Sequence, residues 1–98
     1  MSGTQRSSAD LDPRRRRLLY RAWHRGMREM DLIMGKFADA EVGGFSEAEL
    51  DAFETLIDAQ DHDIFSWVSE TNPLPAEYDT PLFARMKAFH DEGRGLPE

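Results

Sequence analysis

Between residues 18 and 90 the apolar side chains recur three and four positions apart, the spacing of helices that bury one face. Leu18, Leu19, Ala22 and Trp23 form the first such stripe. Asp12-Pro13 before it has the form of an N-cap followed by proline at the first helical position, so a helix is predicted from about Pro13 to His24. A second helix is predicted from about Gly26 to Val42. At 100° per residue it places Gly26, Met27, Met30, Ile33, Met34 and Phe37 on one side, and Arg25, Arg28, Glu29, Leu32 and Lys36 on the other. Three methionines on one stripe indicate adaptable core packing. Gly43-Gly44 is expected to close this helix in the left-handed conformation.

Ser46 and Glu49 match the capping box, with Phe45 placed to staple onto Leu50, and the third helix continues through Phe53, Leu56 and Ile57. Asp61 to Val68 is a short fourth helix, with Asp61 expected as its cap. Asn72-Pro73-Leu74-Pro75 is an extended connector. Thr80-Pro81 opens a fifth helix carrying Leu82, Phe83, Met86, Phe89 and His90. No stretch alternates apolar and polar with a period of two, and no internal repeat is visible. The expected fold class is all-α, with one domain over residues 11–92 between a disordered N-terminal tail (1–10) and a C-terminal tail (93–98).

A chain of 98 residues buries roughly 60–65% of its unfolded surface, enough for one modest core and too little for a deep, enclosed substrate cavity. The absence of cysteine excludes disulfides, thiolate metal sites and a cysteine nucleophile. No apolar run approaches the roughly 20 residues that span a bilayer, and the N-terminus lacks an apolar signal core. A soluble, intracellular protein with no membrane insertion is expected. The net charge of −7 is unevenly divided. Residues 1–30 carry eight arginines against three carboxylates, a balance of +5, and residues 31–98 carry four cations against sixteen carboxylates, a balance of −12. The acidic pI argues against nucleic acid, and the asymmetry suits docking on another protein through one charged face.

Candidate chemistry is sparse. His24, His62 and His90 lie far apart in the chain, and adjacent residues of Asp61-His62-Asp63 diverge too widely on a helix to close on one metal. There is no nucleophile elbow, P-loop or Gly-x-Gly-x-x-Gly, so no catalytic or metal residue is assigned. Arg14 to Arg17 spread around their helix, which favours a solvated face over a protein-docking or nucleic-acid patch. A helix-turn-helix reading is weak, because the second helix carries Glu29, Asp31, Asp39 and Glu41.

The run from Tyr20 to Asp31 stands apart. Gly26 lies between Arg25 and Arg28 where glycine costs a helix about 1 kcal/mol relative to alanine, so either the backbone bends there or something approaches it closely. Arg25 and Glu29 are four apart. Their two readings, an exposed intrahelical ion pair or a patch that sets the register of a partner, stand level on composition alone.

At this run the sequence resembles the small bacterial and mitochondrial flavinylation factors of succinate dehydrogenase. Arg25-Gly26-Met27-Arg28-Glu29-Met30-Asp31 is similar to the family's Arg-Gly-x-x-Glu (RGxxE) signature followed by a hydrophobic residue and Asp. Asp61-His62-Asp63-Ile64-Phe65-Ser66-Trp67-Val68 is similar to its Asp-x-Asp-Leu-Phe-x-Trp-Leu block. The resemblance covers roughly residues 14–92. It implies a compact five-helix bundle and a non-enzymatic FAD assembly factor or chaperone. Such a factor binds the flavoprotein subunit of succinate dehydrogenase, in some bacteria also that of fumarate reductase, and promotes covalent attachment of FAD to a histidine of the client without retaining FAD itself. It places partner binding at Arg25, Gly26 and Glu29, flanked by Arg28, His24 and Asp31. Family members often carry a basic residue where His24 stands, so a fixed charge there is in question. The competing readings are an antitoxin-like or transcriptional regulator and a flavinylase that binds FAD. The polar N-terminus lacks an amphipathic transit segment, which leads to an expected location in bacterial cytoplasm, not the mitochondrial matrix.

Overall fold

Most helix ends lie where local hydrogen-bond chemistry puts them. The computed structural model describes residues 11–92, in which there are five α-helices and no strand. The expected tails at 1–10 and 93–98 lie outside the described residues. Helix α1 (Pro13–Trp23) starts with the Asp12 carboxylate accepting the Arg15 N–H, and α3 (Glu47–Ile57) starts with both halves of the Ser46/Glu49 capping box formed. Helix α5 (Pro81–Asp91) starts with the Thr80 hydroxyl accepting from the Phe83 N–H.

The other ends depart from expectation, each for a physical reason. Helix α2 (Arg28–Glu41) begins two residues later than the apolar stripe suggested, because Gly26 has φ +94 and Met27 is extended, neither of them helical. Arg25 therefore lies outside the helix, and the i, i+4 pair with Glu29 does not form. At its far end α2 tightens into a 3-10 turn, Val42–Gly44. Gly43 and Gly44 are not left-handed; among the described glycines only Gly26 has positive φ. Helix α4 (Asp61–Val68) has Gln60 at its cap position and Asp61 as its first residue, since the Asp61 carboxylate is committed elsewhere. Its C-terminus closes with the Thr71 N–H on the Ser66 carbonyl at 2.8 Å and the Glu70 N–H on that of Trp67 at 3.3 Å. Glu70 takes the left-handed position, φ 64, where glycine is usual. The connector then makes a second 3-10 turn, Ala76–Tyr78, whose Tyr78 ring stacks on Trp67 at 4.6 Å.

The helices pack about one aromatic centre. Phe37 of α2 meets Phe45, Phe53 of α3 and Phe89 of α5 at centroid separations of 5.6, 6.0 and 5.6 Å, and all four rings are buried. Met30 and Met34 are fully enclosed, as the stripe predicts. Helices α1 and α2 cross closely at Gly35, where a Cβ would lie 2.4 Å from Cδ2 of the Trp23 indole.

Charges knit the same elements together. Arg14 of α1 reaches Glu47, Asp51 and Glu54 along α3 at 3.2, 2.6 and 2.8 Å, and Arg21 reaches Asp58 at 2.7 Å. The guanidinium of Arg14 holds the Glu54 carboxyl below its ordinary range. Arg15 donates to the carbonyls of Val42 and Phe45, filling acceptors of the α2–α3 turn. The solvated-face expectation thus fails for Arg14 and Arg15, though Arg16 and Arg17 are exposed. Arg14 and Arg21 of the basic N-terminal third thus pair with carboxylates of the acidic remainder within the same chain. Arg85 of α5 completes the network, bonding Glu41 and Glu49 and lying 5.2 Å from the centroid of the Phe45 ring.

Candidate functional site

The loop between α1 and α2, residues 24–27, is built from opposite inward and outward choices. Arg25 turns inward. Its side chain is 9% exposed, its Nε donates to Asp61 at 2.7 Å, its Nη2 to the Ala59 carbonyl at 2.7 Å, and its Nη1 to the Ile57 carbonyl. The last carbonyl of α3, that of Ala59 in the following turn and the first carboxylate of α4 thus converge on one guanidinium, a favourable place for a cation. Asp31 also serves the loop, accepting the Arg25 backbone N–H at 2.7 Å.

Gly26 turns outward. A Cβ built there meets nothing within 4 Å, so its φ of +94, and not crowding within the fold, explains the glycine. Next to it, the side chains of Arg28 and Glu29 are exposed in the first turn of α2, with no hydrogen bond or ion pair to another described residue. His24, at the C-terminal cap of α1, stacks on Tyr20 at 3.9 Å, and its Nδ1 lies 2.7 Å from the Tyr20 carbonyl. Tyr20 is 64% exposed, so the pair forms an aromatic face on the solvent side.

Of the six residues singled out from sequence, Gly26, Arg28, Glu29 and His24 are therefore exposed, and Arg25 and Asp31 hold the loop that presents them. Charge-assisted bonds from Arg25 to a partner, which the exposed-patch reading entails, conflict with its three internal acceptors. Sequence reasoning missed Asp61 as the counterion of Arg25, having assigned it a capping role. The available signal was the pairing of the two motif blocks: a buried arginine in one needs a carboxylate, and the other opens with one.

A cleft of about 480 Å³ opens where α2, α4 and α5 meet. Glu29 and Leu32 line it from α2, Phe65 and Val68 from α4, and His90 and Asp91 from α5. Phe65 is 40% exposed despite its size. His90 is buried, with Nε2 2.8 Å from the Ile33 carbonyl and with no hydrogen-bond partner on Nδ1. Burial lowers its pKa below the ordinary imidazole value. No three His, Asp or Glu side chains among the described residues gather to hold a metal, and no helix among them is long and apolar enough to cross a membrane.

A family described as "Flavinator of succinate dehydrogenase" matches residues 16–90. The chain is similar to succinate dehydrogenase assembly factor 2-B, mitochondrial, of Drosophila persimilis, 38% identical over 84 aligned positions, with 84% of this chain and 54% of that protein covered. It is similar to succinate dehydrogenase assembly factor 2, mitochondrial, of Debaryomyces hansenii, 38% identical over 85 residues, 84% of this chain and 60% of the relative. It is also similar to succinate dehydrogenase assembly factor 2-A, mitochondrial, of Drosophila yakuba, 33% identical over 93 residues, 93% of this chain and 57% of the relative. The chain spans about half the length of the curated relatives it matches. Their mitochondrial names overturn the expectation of a bacterial cytoplasmic location, which rested on the composition of the N-terminus alone. With the family match running from within α1 to the end of α5, the chain belongs to the family of flavinators of succinate dehydrogenase.

Proposed function

We propose that this protein is an assembly factor that docks on the flavoprotein subunit of succinate dehydrogenase and promotes covalent attachment of FAD to that subunit. The observation that carries the proposal is the outward side of the 24–27 loop. Gly26 leaves its backbone uncovered, the side chains of Arg28 and Glu29 stand beside it without partners among the described residues, and Arg25, bound to Asp61, fixes the loop from behind. An exposed main chain beside two exposed opposite charges is suited to setting the register of a partner's backbone.

The role is non-enzymatic in this reading. Forming the flavin–histidine bond is chemistry of the client and its own FAD. A factor that holds the client in a reactive geometry lowers the barrier by positioning, an effect worth up to several kcal/mol. Arg25 and Asp31 shape the surface; Gly26, Arg28, Glu29 and His24 meet the client. No stable FAD site of its own is assigned.

The test is co-expression with the flavoprotein subunit, with covalent flavin read by in-gel fluorescence. Wild-type protein is expected to raise the covalent signal, and Gly26→Arg to abolish it while remaining helical by circular dichroism. Full covalent FAD with Gly26→Arg rejects the docking site. Stoichiometric FAD retained by the isolated wild-type protein rejects the non-enzymatic role.

A further inference from the structure

The cleft beside Glu29 has an unusual polar lining. The Ile33 carbonyl can only accept, so Nε2 of His90 carries the proton and the buried Nδ1 of the neutral ring is an acceptor without a donor. Glu29 offers a carboxylate with no partner among the described residues, and Asp91 offers another from α5. Lys87 sits 2.6 Å from Glu70 and reaches Asp91 only at 3.4 Å, so its charge is shared between them. The hydroxyl of Ser69, also in the lining, is spent donating to the Phe65 carbonyl at 2.8 Å. Among the described residues no arginine or lysine lines the cleft. Its remaining surface is apolar, from half-buried Leu32 and Val68 to exposed Phe65.

An apolar floor whose polar groups all accept is complementary to a donor-rich cation on an apolar stem. The cleft also continues the docking surface. The Arg25–Asp61 contact pins the start of α4 beside the start of α2, and Phe65 follows Asp61 by four residues, one turn on along the same face.

We propose that this cleft seats a segment of the client flavoprotein in which an aliphatic or aromatic side chain lies next to an arginine or lysine. The apolar side chain packs on Leu32, Phe65 and Val68, and the cation is held between Glu29 and Asp91. The inference rests on the assembly-factor reading and specifies a second contact, one helix turn from the Gly26 loop.

The experiment uses the full chain and the purified flavoprotein subunit of succinate dehydrogenase, with dissociation constants measured at low and high salt. Phe65→Ser is expected to weaken binding by about tenfold or more, the loss typical of an aromatic anchor. Asp91→Asn, an exposed change that leaves Lys87 paired with Glu70, is expected to weaken it less and to flatten its salt dependence. Phe65→p-benzoylphenylalanine then identifies the occupant by photo-crosslinking and mass spectrometry, with a client peptide expected that contains a basic residue beside an apolar one. Wild-type affinity in both Phe65→Ser and Asp91→Asn overturns the cleft as a contact while leaving the Gly26 docking surface intact. A crosslinked peptide without Arg or Lys, or a crosslink to a second copy of this chain, overturns the stated occupant. Failure of the wild-type protein to bind the subunit removes the assembly-factor reading and the occupant with it.

Discussion

Nε of Arg25 lies 2.7 Å from Oδ1 of Asp61, and this contact joins two sequence blocks that are 36 residues apart. Arg25 opens the Arg-Gly-x-x-Glu signature, and Asp61 opens the Asp-x-Asp-x-Phe-x-Trp block of α4. Because the same guanidinium also binds the Ile57 and Ala59 carbonyls, it fastens the α1–α2 loop to the α3–α4 junction. Half-buried, charge-assisted contacts of this kind stabilise a fold chiefly because breaking them strands the remaining partner. Arg25→Ala is expected to lower the unfolding free energy by about 2–3 kcal/mol, and Asp61→Asn by about 1–2 kcal/mol, in urea denaturation. The double variant should be less damaging than the two effects added. Strict additivity contradicts direct coupling. Asp61→Asn should also reduce covalent flavin on the client, although Asp61 lies outside the signature.

The conformation of Gly26 separates two roles that an ordinary substitution confounds. Any L-residue at φ +94 is strained by about 1–2 kcal/mol, even with open space around the Cβ. A D-alanine at this position accepts that φ, and the chain is short enough for chemical synthesis. The D-alanine protein is expected to match wild type in thermal midpoint while Gly26→Ala melts lower. If the D-alanine protein binds the client as wild type does, the glycine serves the turn only. Weakened binding is the expected result and assigns it to close approach of the partner.

Gly35 is the reverse case. In the middle of a helix, alanine normally gains about 1 kcal/mol over glycine. Here the added methyl would lie 2.4 Å from the Trp23 ring, so overpacking should outweigh the gain. Gly35→Ala is expected to lose about 1–2 kcal/mol net, with a red shift of tryptophan fluorescence as the α1–α2 contact opens. A rise in stability would contradict the packing seen here.

His90 makes stability depend on pH. Burial lowers its pKa in the folded protein below the ordinary value of 6.5, against smaller raising effects of the Ile33 carbonyl and of Asp91. Between the two values the unfolded chain binds more protons than the folded one, so stability rises with pH. It should therefore be fully present above pH 6.5 and fall as pH drops below it, towards the lowered folded value, with a slope of at most about 1.4 kcal/mol per pH unit from this group. His90→Gln, which can still donate to Ile33, should flatten that part of the profile measured by urea unfolding. An unchanged slope assigns the dependence to other groups.

The amino-acid sequence by itself was enough for the helical class, the stripes of α1, α2, α3 and α5, and the caps at Asp12, Ser46 and Thr80. Each is a local matter: periodicity and capping depend on residues within one or two turns. It was also enough for family membership, because the two motif blocks and their order are properties of the string. The tertiary structure decided what those motif residues do. Arg25 and Glu29, four apart and equivalent on a helical wheel, part company once Gly26 breaks the helix between them. Arg25 is drawn to carbonyls and a carboxylate more than thirty residues away, and Glu29 is left in solvent. The same holds for Arg14 and Arg15, whose acceptors lie on α3 and in the turn before it. A charged side chain finds its partner through space, where burial and geometry outweigh sequence spacing, so the division between loop-holding and exposed residues became visible only in the fold.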